Sequence, residues 1–311
     1  MPAQPESPEI AAVLVTHNTR EPLLDALASL RPHPGATAVV VVDSASTDGT
    51  AEAVRRAFPE VKLLEGPNDG YGAAANRGIA ACSAPFVLLL NSDVVVRPGA
   101  LRALADYLAA HPRAGLAGPR LENPDGTLQR SCFAFLGTAR LAVEKTRICR
   151  RIGRWLGRWS VHYGPDDRPR QVPWVLGAAL ALRREAFDAV GGFDPAFFLY
   201  GEEVDLCYRL WQAGWEVHYA PAATVMHIGG ASVTVRPETE VRRVESARLF
   251  YRKHYAPLRA AVLDGLIRTA MRLRWVRDSL RLRLARDDRR RSRLAEDLAV
   301  WRGVLRGVLK T

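Results

Sequence analysis

The stretch VVVVDSASTDGTAEAVRRAF, Val39–Phe58, predicts a buried strand, a polar loop and a helix in direct succession. Its four consecutive valines are apolar at every position, which is typical of a strand covered on both faces rather than on one. The following TDGTAEAVRRAF is typical of a helix with polar capping residues at its start. We therefore predict a strand that ends at Asp43 and delivers a polar loop to the edge of a sheet.

The same alternation continues on both sides of this stretch. Apolar strands are predicted at Ile10–Thr16, in VKLLE and in FVLLLNSD, and helical patterns lie between them. Strands that are apolar on both faces and alternate with amphipathic helices indicate a mostly parallel, Rossmann-like α/β sheet with helices on both faces. Farther along, EVHYAPAATVMH predicts two strands separated by a proline turn, and from Val241 the chain is predicted to be helical to its end.

The composition limits the class of protein. With 311 residues, 48% of them hydrophobic, the chain can bury a substantial core, and no apolar run reaches the roughly 18 residues that a membrane span requires. The lead-in MPAQPESPEI has no export signal and is expected to be disordered. The four cysteines show no CxxC spacing, so we expect reduced thiols and a cytoplasmic protein.

The net charge of +11 is concentrated in two segments, with +9 from Arg259 to Thr311 and +6 from Arg140 to Gln171. Near the end of the chain, apolar residues fall on one helical face: Leu294, Leu298, Trp301, Leu305 and Val308. Such an Arg-rich amphipathic tail suits an anionic membrane surface, and the alternatives are a helix packed on the body of the protein or a subunit interface. No nucleic-acid-binding motif is present, and a homo-oligomer is left open.

Polar clusters end four successive strands, where α/β sheets bind ligands. They are Thr16–Asn18, Asp43–Thr50, Asn68–Gly72 and Asn91–Asp93. No glycine-rich dinucleotide or P-loop motif follows the first strand. Asp43 could accept a pyrimidine N–H or cap a helix, and Asp93 could hold a divalent cation or belong to a turn.

Three carboxylates, Glu202, Glu203 and Asp205, stand at the start of a predicted helix in FFLYGEEVDLCYRLW. Asp205 is four residues before Arg209, which predicts an ion pair on the helix surface. Glu202 and Glu203 both lie in the first turn, where the helix dipole favours anions, so each also has a structural explanation.

Five motifs occur in an order that resembles family 2 inverting glycosyltransferases of the GT-A fold: VLVTHN, VVVDSASTDGT, NDGYGAAANRGI, LLLNSDVVV and GAALALRREAFDAVGGFDPAFFLYGEEVDLCYRLWQAGWEVHYAPAATVMHIGGAS. The chain most resembles the bacterial rhamnosyltransferase-like branch that builds surface polysaccharides. The resemblance covers about Ile10–Ser232 and excludes the basic tail. It implies a nucleotide-sugar-binding half at 10–120, an acceptor and catalytic half at 121–240 and an appended tail at 241–311, after the lead-in at 1–9.

The resemblance also implies roles for individual residues. The nucleotide-sugar donor would be bound by Thr16, Asn18, Asp43, Asn76, Arg77, Ser92 and Asp93. Asp93 would also bind Mg²⁺ or Mn²⁺, with His227 completing the metal site. Because the triplet is Asn91-Ser92-Asp93, it supplies one carboxylate where the family's DxD-like triplet supplies more.

In the resembled family the acidic pair is usually Glu-Asp with the second acid as catalytic base, which selects Glu203. Since a glutamate is one methylene longer than an aspartate, either the backbone compensates or Glu202 takes the role. Trp174 and Gly177 are candidates for the acceptor or sugar site, although Trp174 could equally belong to the core.

The resemblance implies transfer of a sugar, with dTDP-L-rhamnose as the best guess, to a glycan or polyprenyl-diphosphate-linked acceptor at the inner face of the cell membrane. The basic segment Arg140–Gln171 would contribute to acceptor binding. Two alternatives remain: a galactosyl- or mannosyltransferase of the same family, and a non-catalytic scaffold or nucleic-acid-binding protein with a basic tail.

Overall fold

The structure is a computed structural model, and it describes residues 9–31, 36–135, 167–229 and 237–284 together with a few positions between 287 and 302. The chain divides into two compact units. The first comprises residues 1–135, 162–198 and 202–232, and the second comprises 136–161, 199–201 and 233–311. The predicted basic segment at 140–171 and the apolar face Leu294–Val308 lie largely outside the described residues.

The first unit is built on a ten-stranded sheet whose main path runs β3-β2-β1-β4-β11-β6-β12-β5. The strands on this path are β1 (Ile10–Thr16), β2 (Ala36–Ser44), β3 (Lys62–Gly66), β4 (Phe86–Asn91), β5 (Val94–Val96), β6 (Ala114–Glu122), β11 (Ala179–Arg183) and β12 (Glu216–His227). Two short strands, β7 (Leu128–Gln129) and β9 (Arg170–Gln171), pair with β6 and β12, and β8 (Cys132–Phe133) pairs with β10 (Trp174–Val175) in a separate ribbon.

The four strands β3, β2, β1 and β4 run parallel, as their apolar character predicts. Strand β11 is inserted antiparallel between β4 and β6, and β12 lies parallel to β6. The carboxyl ends of β1, β2 and β4 therefore meet at one edge, and the antiparallel β5–β12 pair brings the end of β12 beside them. This arrangement confirms the predicted α/β sheet and assembles one polar edge from distant parts of the sequence.

Six helices belong to the described part of the first unit: α1 (Arg20–Leu30), α2 (Thr50–Ala57), α3 (Tyr71–Ala80), α4 (Ala100–Ala110), α5 (Arg184–Ala189) and α6 (Glu202–Gln212). They cover both faces of the sheet. Leu23 of α1 and Leu101 of α4 are buried in the apolar cluster on one face, whereas Ala74 of α3 and Leu206 of α6 are buried in the cluster on the other. The valines of β2 contribute to both clusters, which explains why that strand is apolar throughout.

Two details of the secondary structure differ from the sequence prediction. The segment predicted as two strands is one strand, β12, with a register shift between Ala220 and Thr224 that accommodates Pro221. The C-terminal helix begins before Val241 and is divided into α7 (Pro237–His254) and α8 (Pro257–Leu284). Pro257 explains the division, because proline has no N–H for the preceding helix and is well tolerated in the first turn of the next one.

The second unit contains α7, α8 and the short segment Leu199–Gly201. The hydroxyl of Ser246 donates a hydrogen bond to the carbonyl of Leu199 at 3.1 Å, and the Arg243 guanidinium lies 4.7 Å from the centre of the Tyr200 ring. Arg248 and Asp264 form an ion pair between α7 and α8. Among the described residues, no helix is long and apolar enough to cross a membrane.

Candidate active site

The ends of β1 and β4 are joined by a chain of buried hydroxyl groups. Thr16 Oγ1 lies 2.7 Å from Thr19 Oγ1, and the Thr19 hydroxyl donates to Ser92 Oγ at 2.7 Å. All three side chains are buried. Two predicted donor-site residues, Thr16 and Ser92, are therefore brought together by Thr19, which the sequence analysis did not single out.

Asp43 and Asn18 organise the loops that follow β2 and β1. Asp43 is paired in register with Thr16, is buried, and accepts a hydrogen bond from the Ser46 amide at 3.1 Å. Asn18 has a positive φ of 53°, and its Oδ1 accepts from the Thr47 amide at 2.7 Å. Such a conformation is tolerated best by asparagine, aspartate and glycine. Both residues thus fix the shape of the loops whether or not they also contact a ligand.

Asn76 and Arg77 are engaged with the protein itself. The Asn76 side chain accepts from the Phe193 amide at 2.9 Å and donates to the Phe193 carbonyl at 2.8 Å. Two N–H···O contacts of 2.7 and 2.8 Å join Arg77 Nη1 to the Asp69 carboxylate, and this guanidinium holds the pKa of Asp69 below its ordinary value. The resemblance implies that Asn76 and Arg77 lie beside the ribose and diphosphate of the donor, and that role stays a prediction.

Asp93 and His227 meet where β5 pairs with the end of β12. His227 Nε2 lies 3.5 Å from Asp93 Oδ1, and both side chains are largely buried. Asp93 Oδ1 has no hydrogen-bond partner within the part of the chain that the structure describes. A buried carboxylate oxygen without a donor is costly, and a cation would satisfy it. The predicted metal pair therefore fits a divalent ion chemically.

Gln129 fixes the orientation of the His227 ring. His227 Nδ1 donates to Gln129 Oε1 at 2.7 Å, and the Gln129 amide in turn donates to Asn123 Oδ1 at 3.0 Å. With Nδ1 carrying the proton, Nε2 presents its lone pair toward Asp93. This is the outer-shell arrangement that orients a metal-binding histidine. The described residues form no group of three or more His, Cys, Asp or Glu ligands, so substrate oxygens and water would complete the coordination.

Gln129→Leu is expected to weaken Mn²⁺ binding by about 10- to 100-fold, because removal of an outer-shell acceptor releases the ring of a ligating histidine. The measurement is a titration of free Mn²⁺ by electron paramagnetic resonance in the presence of a nucleoside diphosphate. Gln129→Glu keeps an acceptor for Nδ1–H and should bind nearly as well as the wild type. Equal Mn²⁺ affinity in the leucine variant would disprove the orienting role of Gln129.

Glu202 and Glu203 open α6 and lie against different surroundings. A Cβ built on Gly72 of α3 would lie 3.7 Å from Glu202 Cβ, whereas one built on Gly177 would lie 3.5 Å from Glu203 Cβ and Cγ. Gly177, a predicted acceptor-site residue, thus borders the predicted base. Both glutamates are buried, and Glu202 Oε2 has no hydrogen-bond partner among the described residues.

Tyr71, the first residue of α3, lies close to all of these acids. Burial raises the pKa of Tyr71 well above its ordinary value, and the charges of Glu202, Glu203 and Asp93 raise it further. Its hydroxyl is buried without a hydrogen-bond partner within the described ranges. The Tyr71 amide donates to the Phe198 carbonyl at 2.9 Å, where the positive φ of Gly70 allows a close approach. A protonated phenol therefore remains available as a donor inside the acidic cluster.

The carboxyl of Glu202 has a raised pKa. Burial raises the pKa of Glu202 well above its ordinary value, and the negative charge of Glu203 raises it further. Two adjacent buried carboxylates rarely ionise together, so the one with the raised pKa retains its proton more readily. A proton held on Glu202 would leave Glu203 as the ionised carboxylate, and the choice of Glu203 as the base stays a prediction.

Glu202→Gln is expected to stabilise the protein increasingly as the pH rises. A carboxyl whose pKa is raised on folding contributes stability below its unfolded pKa, about 4.3, and that contribution is lost as the pH rises through the folded value. Glutamine does not titrate and avoids this loss. Thermal melts at about pH 5 and about pH 8 should show a larger gain in Tm at the higher pH. If the difference in Tm between the variant and the wild type does not change with pH, the pKa of Glu202 is not raised on folding.

The prediction of a surface ion pair for Asp205 is correct in the pairing and wrong in the location. Arg209 Nε donates to Asp205 Oδ2 at 2.7 Å, but the Asp205 side chain is 0% exposed. Arg209 Nη1 also donates to the Val190 carbonyl at 2.6 Å. Because α6 turns this face toward the end of α5, the pair is internal, and removal of one partner would leave a buried charge.

Trp174 packs within the protein. Its ring stacks on Phe133 at a centroid distance of 4.6 Å, and its indole N–H donates to the Ala134 carbonyl at 3.2 Å. These contacts are enough to explain Trp174 as a core residue, and its contact with a sugar stays a prediction.

Cys207 lies on α6, where burial raises the pKa of its thiol to about 12. This cysteine is therefore inert.

Comparison with known proteins identifies relatives of this arrangement. Residues 8–246 match the model of the family described as "Glycosyltransferase like family 2". An N-acetylglucosaminyl-diphospho-decaprenol L-rhamnosyltransferase of Mycobacterium tuberculosis is 37% identical over 220 residues, which cover 65% of this chain and 68% of the relative. A pre-mycofactocin glycosyltransferase of the same species is 30% identical over 264 residues, which cover 83% of this chain and 49% of the relative.

Solved structures share the fold at low sequence identity. The mannosyltransferase PcManGT from Pyrobaculum calidifontis, in complex with GDP-Man and Mn²⁺, aligns with a TM-score of 0.56 and 18% identity over 98% of this chain and 88% of its own. GalNAc-T7 with UDP, GalNAc and Mn²⁺ aligns with a TM-score of 0.56 and 17% identity over 80% of this chain and 50% of its own. These similarities support the GT-A fold.

Proposed function

The chain belongs to the glycosyltransferase-like family 2 and is a glycosyltransferase, and on that premise we propose a metal-dependent transfer that inverts the anomeric centre. The donor is a nucleoside-diphosphate sugar, and the acceptor is a hydroxyl of a lipid-linked glycan of the cell envelope. One observation supports the proposal: the charges of Glu202, Glu203 and Asp93 all raise the pKa of the buried Tyr71 hydroxyl, so the proposed base and the proposed metal-binding acid would act near the same side chain.

The chain's own residues account for the proton transfer. The acceptor oxygen attacks C1 of the donor sugar, the bond from C1 to the diphosphate oxygen breaks, and its electron pair leaves with the nucleoside diphosphate. The acceptor proton passes to the carboxylate of Glu203, which is the general base. In this proposal Glu202, whose pKa is raised, holds a proton, and Glu203 is the ionised member of the pair.

Asp93 and His227 would hold the divalent cation, with Gln129 orienting the histidine. When bound, Mg²⁺ or Mn²⁺ stabilises the negative charge that accumulates on the diphosphate as it leaves. The Mn²⁺ named in both solved complexes supports a divalent metal without distinguishing the two ions. Since Asp93 supplies one carboxylate, we expect metal binding to be weak until the diphosphate adds its own oxygens.

The M. tuberculosis relative supports a particular pair of substrates. Its name specifies an L-rhamnosyl group and an N-acetylglucosaminyl-diphospho-decaprenol acceptor. We propose by analogy that this chain transfers L-rhamnose from dTDP-L-rhamnose to a sugar carried on a polyprenyl diphosphate. Such an acceptor is held in the cell membrane, so the reaction would take place at its inner, cytoplasmic face.

A donor panel tests this proposal. Purified protein is incubated with dTDP-L-rhamnose, UDP-galactose and GDP-mannose, each with and without Mn²⁺, and with an N-acetylglucosaminyl-diphospho-lipid acceptor. We expect Mn²⁺-dependent transfer from dTDP-L-rhamnose. Transfer from one of the other two donors instead would retain the glycosyltransferase and reject rhamnose. No transfer and no nucleotide binding with any donor would favour a non-catalytic scaffold.

A further inference from the structure

Helix α8 presents two opposite faces with different surroundings. One face is buried in the second unit and includes Ala260, Leu263, Ile267 and Met271. The other carries large apolar side chains that are 47–80% exposed: Leu258, Val262, Leu273, Val276, Leu280 and Leu284. At 3.6 residues per turn these six residues fall within an arc of about 80°. We call this surface the apolar stripe.

Arginines border the apolar stripe on both sides. At helical spacing, Arg259 and Arg277 lie along one edge, and Arg272 and Arg283 lie along the other. All four are exposed. The helix as a whole contains seven arginines and two aspartates, so it is strongly basic.

Both aspartates of α8 belong to its packed side. Asp278 is 3% exposed and forms ion pairs with Arg277 and Arg281, and Asp264 forms ion pairs with Arg248 of α7 and Arg268. The apolar stripe and its two edges therefore contain no acidic residue, and Arg277 is the one of the four edge arginines for which an ion pair with an acid of α8 is seen in the described part of the chain. A surface with apolar side chains at its centre and positive charges along both edges matches the interfacial region of a bilayer with anionic lipids, where acyl chains lie beneath phosphates.

The charges argue against a second copy as the occupant of this surface. Pairing two stripes would bring arginine edges of like sign together, which is unfavourable. The helix is also too basic to cross the hydrocarbon core, whereas lying in the plane of the interface keeps its arginines among the phosphates. Over 28 residues, such a helix extends about 42 Å along the surface.

We propose that the apolar stripe of α8 docks the protein on a bilayer of anionic phospholipid. Leu258, Leu273 and Leu280 enter the boundary between headgroups and acyl chains, while Arg272 and Arg283 contact lipid phosphates. The choice of a membrane rests on the proposed lipid-linked acceptor. The stripe belongs to 257–284 and lies almost entirely within the basic segment 259–311, for which the sequence suggested an anionic membrane surface; the structure assigns that role to α8, ahead of the apolar face at 294–308.

Vesicle co-sedimentation of the full chain tests this docking surface. Wild-type protein should bind vesicles that contain phosphatidylglycerol at least tenfold more tightly than vesicles of phosphatidylcholine alone, and added salt should reduce that preference. Leu273→Ser combined with Leu280→Ser should weaken binding by about tenfold or more. Arg272→Gln combined with Arg283→Gln should remove most of the preference for the anionic lipid.

Matched variants and parallel measurements make the outcome decisive. Arg56→Gln with Arg102→Gln removes two exposed arginines from the first unit and should leave vesicle binding unchanged. Circular dichroism and light scattering report the fold and the oligomeric state of each variant. Unaltered vesicle binding by the leucine variant overturns the proposal. A change of that variant from dimer to monomer also overturns it, because the stripe would then be a subunit interface. Vesicle binding that appears only after deletion of 285–311 overturns it as well, because that segment would then be the occupant of the stripe. Because binding needs no turnover, failure here is distinct from failure of sugar transfer, which a water-soluble acceptor tests separately.

Discussion

Glu203→Gln is expected to lower the turnover number by about 10²- to 10⁴-fold, the usual contribution of a general base. Glutamine has nearly the same shape as glutamate but cannot accept the acceptor proton at physiological pH. Because Glu203 borders Gly177 rather than the hydroxyl chain of Thr16, Thr19 and Ser92, the affinity for nucleoside diphosphate should remain nearly unchanged. Steady-state kinetics with the active donor and calorimetric titration with the nucleotide measure the two quantities.

Glu202→Gln is the matched control for this experiment. It removes a neighbouring carboxyl of the same size whose raised pKa keeps it protonated more readily, so turnover should stay within about tenfold of the wild type. If Glu202→Gln abolishes transfer and Glu203→Gln does not, the assignment of the base is reversed. In that case the extra methylene of Glu203, relative to the aspartate expected there, is not accommodated by the backbone.

Asp93→Asn is expected to reduce transfer by about 10³-fold, because the loss of a metal-held diphosphate costs several kcal/mol in the transition state. The substitution preserves shape and removes the carboxylate whose Oδ1 faces His227 Nε2. Mn²⁺ should then no longer tighten nucleotide binding. The measurement is the dissociation constant of the nucleoside diphosphate at several Mn²⁺ concentrations.

Asp106→Asn provides the comparison for this variant. Asp106 is half-exposed on α4, where it pairs with Arg102, and its loss should leave both transfer and Mn²⁺ dependence intact. If Asp93→Asn retains the Mn²⁺ dependence of the wild type, the ion is held elsewhere and the Asp93–His227 pair is not its site.

The sequence predicts most of the fold because the decisive signals are local. The valines of β2 are apolar on both faces since two separate clusters cover the sheet, and the pattern alone indicates such a strand. The break before Pro257 and the continuity of β12 through Pro221 are harder to predict. The effect of a proline depends on whether the neighbouring strand can shift its register, and that is decided by tertiary pairing.

The residues of the candidate site can likewise be predicted from the sequence only where the signal is local. Asp93 and His227 are 134 residues apart in sequence, and only the resemblance to a family indicated that they meet. Gln129 gives no signal of its own, because it lies in a two-residue strand and acts through a side chain that contacts His227. Tyr71 stands inside the quoted NDGYG motif, yet its position among the acids depends on the bond from its amide to Phe198. The spacing of Asp205 and Arg209 predicts their pairing, but burial of the pair depends on the packing of α6, which the spacing does not give.

The anomeric configuration of the transferred sugar tests the central claim most directly. The claim is a single displacement in which one carboxylate, Glu203, takes the acceptor proton while the diphosphate leaves from the opposite face of C1. Nuclear magnetic resonance of the product formed from the active donor should show a linkage of opposite configuration to that of the donor. A product with retained configuration would contradict the account, because a single displacement from the face opposite the diphosphate inverts C1.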